Sequence, residues 1–439
     1  MKRIDKILLI FVALLWSVAL GATDGGGGFS SFAPYSIYGI GDMHNMGSAY
    51  NLTMGGVGIA SRNNRYINSL NPAAVTARDS LAFMSDFSVY QKNNIYRQGS
   101  AVSASNVFNI NDIIISFPLF PHTAMMVGIK PYSSSGYQYS YYENKPGVTN
   151  EIGTVNHLYS GQGSMFQAFA AAGITLFKNL SLGAEYIHYF GNTKKNYNQT
   201  VGDAASLAAS QTTEMVLSSN TVKFGIQYDQ PIADKYRLCL GATYKLNSRL
   251  SGFSNSEYMG GNAVLISRSD TLANLASPVN LASEAGLGIA FVYGRKFRAE
   301  FDYIYSDWSN SNFEKNWGFS VNGASGEPVF RSCASHSFRA GVEWIPNPGD
   351  IRYYHNLIAY RAGVYYTRDN FSISGNPVYS RGITLGATLP IFQWYNGLTV
   401  GLELGQRGSL KNNLIRETYI GFSLGVNLFD IWFQQYRYE

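Results

Sequence analysis

From about residue 80 to the carboxy end the chain alternates between apolar and polar positions. Phe297, Ala299, Phe301, Tyr303 and Tyr305 fall on one face of an extended segment, with Arg298, Glu300 and Asp302 on the other. Leu238, Leu240, Ala242, Tyr244 and Leu246 oppose Cys239, Gly241, Thr243 and Lys245, and Phe338, Ala340, Val342 and Trp344 oppose Arg339, Gly341 and Glu343. Tyr360, Ala362, Val364 and Tyr366 oppose Arg361 and Gly363; Leu398, Val400, Leu402 and Leu404 oppose Thr399, Gly401, Glu403 and Gly405. A period of two defines β-strands. A soluble sandwich hides such an apolar face in its core, whereas a membrane barrel turns it to lipid and keeps the polar, Gly-rich face in the lumen. Periodicity alone does not choose between them.

The pattern predicts strands near 80 to 92, 105 to 119, 122 to 142, 155 to 177, 179 to 195, 214 to 229, 235 to 250, 281 to 293, 296 to 310, 334 to 345, 356 to 368, 378 to 390, 396 to 407 and 414 to 428. That makes about fourteen, an even number, as a single-chain bacterial barrel requires. Short turns are expected at Phe120-Pro121, Lys178-Asn179, Gln230 to Asp234, Gly294-Arg295 and Gln393 to Tyr395. Long polar loops are expected near 143 to 154, 196 to 213, 251 to 280 and 311 to 333. Short periplasmic turns alternating with long outer loops would leave both termini in the periplasm.

Composition resolves the ambiguity. Aromatics reach 15% with 32 Tyr, Gly numbers 45 and only 14% of residues are charged. Soluble domains of this size carry more charge, and helical membrane proteins need apolar runs of about twenty residues, which are missing after the amino end. An outer-membrane barrel fits both deficits, with Tyr and Trp at the interfaces. The net charge of +5 is small for this length and points to no nucleic-acid partner.

Lys2, Arg3 and Lys6 ahead of an apolar stretch from Ile7 to Trp16, then Ala19-Leu20-Gly21, read as a secretory signal peptide over 1–21. A Gly-rich linker follows over 22–28, since Asp24 and Gly25 to Gly28 break any continuing helix. Fourteen strands enclose more lumen than their own side chains fill. Residues 29–78, rich in Gly, Ser and Asn and without alternation, are therefore expected as a hatch inside a 79–429 barrel, with 430–439 as a periplasmic tail. Cys239 and Cys333 read as unpaired thiols in separate strands, although sequence leaves their pairing open.

The hatch carries Met54-Gly55-Gly56-Val57-Gly58 and Asn71-Pro72-Ala73. With these motifs the chain resembles the FadL/TodX family of outer-membrane transporters for hydrophobic compounds. Asp302-Tyr303-Ile304-Tyr305-Ser306-Asp307-Trp308-Ser309 is similar to the family's late strand ending in Trp-Ser. Gly401 to Gly408, Arg416-Glu417 and Trp432-Phe433 resemble its Bacteroidetes branch. The resemblance implies a monomeric barrel in outer-membrane lipid that passively admits hydrophobic small molecules, long-chain fatty acids or hydrocarbons, and releases them sideways through a kink in the third strand. The matching segment is Lys130-Pro131-Tyr132-Ser133-Ser134-Ser135-Gly136, where Pro removes a ladder donor and Gly tolerates a bend. The alternative at that segment is a strand simply leaving the membrane at Pro131.

Each motif also has a plainer interpretation. Gly55, Gly56 and Gly58 echo a dinucleotide fingerprint but follow no strand and lack its spacing, so close backbone packing is the expectation. Asn71-Pro72 is a common turn pair that here would fix the hatch's exit. The lumen-facing Arg298, Glu300, Asp302, Arg339, Glu343, Arg361 and Glu403 would pair to hold wall and hatch, or offer Arg339 or Arg361 to a ligand carboxylate. His44, His122, His157, His188, His336 and His355 are scattered, with no nucleophile elbow or metal spacing. No enzymatic activity, metal or cofactor is expected. Two other functions remain open: a barrel of the same shape serving as a secretion shuttle or assembly module, and a diffusion porin.

Overall fold

The computed structural model describes residues 32–44, 47–78, 81–143, 153–202, 208–261, 263–272, 277–316, 318–320, 328–391 and 396–431. The signal peptide, the linker, the Gln393 to Tyr395 turn and Trp432-Phe433 lie outside them. Fourteen antiparallel strands form the wall: β1 (Ala82–Gln98), β2 (Ala101–Phe120), β3 (Thr123–Glu143), β4 (Val155–Leu176), β5 (Leu180–Val201), β6 (Ala209–Ala233), β7 (Tyr236–Lys245), β8 (Ser283–Tyr293), β9 (Phe297–Asp307), β10 (Ser335–Trp344), β11 (Ala359–Ile373), β12 (Asn376–Pro390), β13 (Gly397–Arg407) and β14 (Arg416–Ile431). β1 pairs with β14 from Ala82↔Ile431 to Arg97↔Arg416, which closes the cylinder. Closure is what hydrocarbon demands, because an open edge leaves backbone amides unsatisfied at several kcal/mol each.

The predicted faces point as the alternation requires. Phe301, Trp344, Val364, Ile383 and Phe422 are exposed to the surroundings, while Cys239, Arg298, Asp302, Glu343 and Arg361 are buried in the lumen. Cys239 and Cys333 are both free thiols.

The connections differ from expectation in three places. β1 and β2 run on through the predicted gap at 93 to 104 and meet at Gly99-Ser100. The polar 196 to 213 stretch is mostly strand, because its Thr, Asn and Gln side chains suit a solvated sheet as well as a loop. The expected loop at 251 to 280 contains a hairpin, Ser251–Gly260 with Ala263–Thr271, whose first arm continues the sheet against β6 from Ser251↔Ser218 to Gly260↔Ala209. Strict alternation of turn lengths also fails. At the rim where the hatch joins β1, here called the inner rim, residues 345–358 form a long connection, whereas β11 and β12 meet at the opposite, outer rim through Ser374-Gly375 alone.

Wall height is uneven as a result. β3 to β6 have 21, 22, 22 and 25 residues, and β7 to β10 have 10, 11, 11 and 10. About ten suffice to cross a bilayer, so the first group rises well beyond it on the outer side. Over the lower wall, Trp308, Phe313 and Phe319 turn inward and pack with Tyr38, Phe330 and Phe371 in one buried cluster that fills the outer mouth.

The hatch occupies the lumen. The described chain begins at Phe32 in the outer half, where its carbonyl accepts from Tyr96 near the top of β1 and from Ser105 of β2. It descends through Asp42–Met43 and the helical turn Ala49–Leu52 and reaches the inner rim after Pro72–Thr76. Both ends in the periplasm was the expectation; the described residues run from Phe32 in the outer half of the lumen to Ile431 at the inner rim beside Ala82, and the ends of the chain lie outside them.

Candidate functional site

The hatch is seated on wall glycines. Gly55 and Gly56 adopt left-handed backbone, φ 74° and 78°, where a Cβ is strained. Any Cβ on Gly363 or Gly341 would collide with the backbone at Met54, on Gly241 with the Ile59 carbonyl, and on Gly225 with Asn71 and Pro72. Met54 and Ala73 are fully buried beneath this contact. Asn71 caps the Pro72–Thr76 turn: its Oδ1 accepts from the Ala73 N–H at 3.0 Å and its Nδ2 donates to the Ile59 carbonyl at 2.8 Å. The Gly and Asn-Pro-Ala motifs thus meet each other and the wall at one level.

Buried charged groups of the wall then fasten the hatch. Asp302 Oδ2 accepts from the Gly58 and Ile59 N–H groups at 2.7 and 2.9 Å. Arg339 donates to the Gly56 carbonyl at 3.1 Å, and Arg298 to Ser61 Oγ at 3.0 Å and the Arg62 carbonyl at 3.1 Å. Arg298 also pairs with Glu300 at 3.1 Å. Arg361 pairs with Glu343 at 2.8 Å and lies 4.5 Å from the Tyr50 ring, which stacks on Tyr66. Glu403 accepts from Tyr365 at 2.5 Å, away from the hatch. Lys223, not singled out in the sequence, donates to the Leu70 carbonyl at 2.6 Å. Its alternation with lipid-facing neighbours was the available signal.

The Pro131 to Gly136 segment lies at a break in the wall. β2 and β3 pair only from Ile113↔Ile129 down to Phe120↔Thr123, although both strands continue upward. β3 stays zipped to β4 along its length, with a register shift between Pro131 and Ser133 that leaves Tyr132 as an extra residue turned into the lumen against Tyr189, ring centroids 4.4 Å apart. The hatch takes the vacated edge. Asp42 and Met43 pair with Ser134 and Ser133, the Ala33 N–H donates to the Gly136 carbonyl at 2.9 Å, and the His44 N–H to the Tyr132 carbonyl at 3.0 Å. The Ser133 and Ser135 hydroxyls donate to the carbonyls of Ile40 and Ser36, each at 3.0 Å, and Ser134 bonds His44 Nε2 at 2.8 Å. Three small hydroxyl side chains let one backbone pass close to another while satisfying its polar groups. Pro131 therefore marks a true break in the ladder, and the strand continues above it.

Between hatch and mouth lies a chamber of about 1230 Å³, counting the solvent it opens onto. Asp42, Lys92, Glu284, Arg339, Glu403 and Arg407 line it, together with Met43, Leu52 and Trp308. Burial pushes the Asp42 carboxyl up, but Arg407 at 2.5 Å together with Lys92 and His44 outweighs that and holds it below the usual carboxylate range. Burial presses His44 down to about 4, so it sits neutral between Ser134 and Tyr90, whose hydroxyl is 2.8 Å from Nδ1. Asp42 and His44 gave no sequence signal, because their roles depend on which strand edge is vacant.

A closed fourteen-strand wall, a lumen hatch fastened by buried charges and an unzipped seam at the third strand define a plugged transmembrane barrel with the fold of the FadL/TodX transporters. The chain belongs to the BamG family, whose model matches residues 3–439. Among solved structures it is similar to the CymD monoaromatic hydrocarbon channel, at 13% identity and a TM-score of 0.56 over 87% of this chain and 97% of that one. The Ralstonia pickettii toluene transporter TbuX gives 12% identity and 0.55, over 87% and 97%. A Pseudomonas aeruginosa FadL homologue gives 12% and 0.56, over 89% and 100%. No curated protein matches the sequence.

Proposed function

We propose that the barrel sits in the outer membrane of a Gram-negative cell as a monomer and passes small hydrophobic molecules without energy input or chemistry. The observation carrying this reading is the seam between β2 and β3, unzipped above Ile113 and Ile129 beside the lumen chamber. A molecule in the chamber would leave sideways into lipid once the strap of residues 33–44 lifts from Ser133 to Gly136. Burying each methylene contributes about 0.8 kcal/mol, so an alkyl chain needs few polar contacts. The charged chamber lining favours a ligand with a carboxylate end, such as a long-chain fatty acid, over a plain hydrocarbon. Arg339 is the better partner for it, since it lines the chamber while Arg361 is buried against Glu343, Tyr50 and Thr388. The test is uptake of radiolabelled fatty acid by proteoliposomes. Replacing Pro131 and Gly136 by Val should bring uptake down to the protein-free background; unchanged uptake rules out exit at the seam.

A second reading, an assembly or secretion module, draws on the filled outer mouth around Trp308, Phe313, Phe319, Phe330 and Phe371. It expects the intact barrel to take up no more fatty acid than empty vesicles.

A further inference from the structure

At the inner rim, beneath the hatch, is a second space of about 1200 Å³, again counting open solvent. Six of its lining residues are arginines, Arg62, Arg65 and Arg78 of the hatch segment, Arg237 of β7, Arg295 of the β8–β9 turn and Arg298 of β9, against one carboxylate, Glu343. Phe297 and Ile345 border it where the wall meets the rim. From Met43 to Arg78 the sequence has three arginines and no acidic residue.

The described carboxylates nearby are engaged by other arginines than Arg65 and Arg78. Asp229 is taken by Arg237 at 3.0 Å, with Arg62 more distant at 4.0 Å; Glu300 by Arg298 at 3.1 Å; and Glu343 by Arg361 at 2.8 Å. Among the described residues, Arg65 and Arg78 have no carboxylate within ion-pair reach. Arg78 Nε donates to the Val75 carbonyl at 2.9 Å, but its Nη1 is buried with no partner among the described residues. Burial presses this guanidinium down to about 9, with no anion among the described residues to offset it. An unsatisfied buried guanidinium donor costs free energy that a ligand oxygen would recover. Neither the lateral seam nor the chamber above the hatch uses these residues.

We propose that the inner cleft is a binding site for a phosphoryl group, held by Arg65 and Arg78 with Arg62 behind them. Planar guanidinium forks that border one cleft suit the several oxygens of a phosphate, which a single carboxylate would not occupy. The phosphoryl group could belong to an anionic phospholipid of the leaflet at the inner rim or to a soluble phosphate compound.

The experiment uses the full chain in nanodiscs with two probes. Inorganic pyrophosphate is titrated by calorimetry in phosphatidylcholine discs, and thermal unfolding is compared between phosphatidylglycerol and phosphatidylcholine discs. The Arg65→Gln/Arg78→Gln variant should bind pyrophosphate about tenfold more weakly than the native chain, which identifies a soluble source. If pyrophosphate does not bind, phosphatidylglycerol should raise the unfolding temperature of the native chain and not of the variant, which identifies a lipid headgroup. Arg65→Gln alone repeats both measurements should the double variant fail to form a heat-resistant barrel. Native and variant chains responding alike to both probes would overturn the proposal.

Discussion

The hatch is held differently on its two sides. Against β9 to β12 it meets Asp302, Arg339, Arg361 and Thr384, largely ionic donors and acceptors sunk in the wall. Against β3 the strap of residues 33–44 meets three serine hydroxyls and a two-residue ladder, all neutral, while its Asp42 is ion-paired across the lumen with Arg407 of β13. Charge-assisted bonds are about twice as strong as neutral ones. If the hatch opens by the lateral route proposed above, the far wall would be its hinge side and the seam its latch, with opening beginning at the break in the wall.

The largest expected loss comes from the hinge. Asp302→Ala strands the Gly58 and Ile59 amides in a dry site and should weaken hatch seating by about 3 kcal/mol, read as protease sensitivity of the hatch and as new conductance in planar bilayers. If conductance stays at the native level, the hinge assignment is wrong. Gly363→Val forces side-chain atoms into the Met54-Gly55 backbone and should cost about 2 kcal/mol of the same seating, while the neighbouring lipid-facing Val364→Ile should change nothing measurable. On the latch side, Ser133→Ala loses one neutral bond to the Ile40 carbonyl, about 1 kcal/mol, and should raise hydrogen exchange in 33–44 without affecting 54–60.

A further expected effect is one of pH. His44 titrates near 4 when seated and near 6.5 when free, so its contribution is complete above about pH 6.5 and fades as pH falls from there toward 4. Asp42 and Lys92 are the charges facing it. Relative to the intrinsic rate at each pH, exchange in 33–44 should accelerate between pH 7 and pH 5, and His44→Gln should remove that dependence. Acceleration at 54–60 instead would reverse hinge and latch.

Much of the wall was legible because the bilayer enforces one rule along every strand, as Phe301 against Asp302 and Val364 against Gly363 illustrate. Legibility stopped where the membrane does. Asn192 to Val201 and Ser251 to Gly260 are strands in water, and their polar residues carry no lipid-facing stripe to reveal them. The hatch was legible as a remainder and through its glycines, but its path was not. Ser36, Asp42 and His44 matter only because β2 and β3 part company above Ile113, a long-range event that no local pattern encodes. The arginines at 62, 65 and 78 were not singled out in the sequence, and their place on one cleft with Arg237 and Arg295 needed the closed wall.

That same fit between hatch and glycines has a consequence for biogenesis. The hatch is synthesised first, but its seat is shared among β5, β6, β7, β10 and β11, and its Arg65 carbonyl accepts from Asn427 on the final strand. No partial sheet offers that surface. A one-residue slip between any two of these strands would replace a glycine with an outward-facing bulky neighbour and refuse the hatch entry. Seating of the hatch therefore requires that each of these strands already be in its native register.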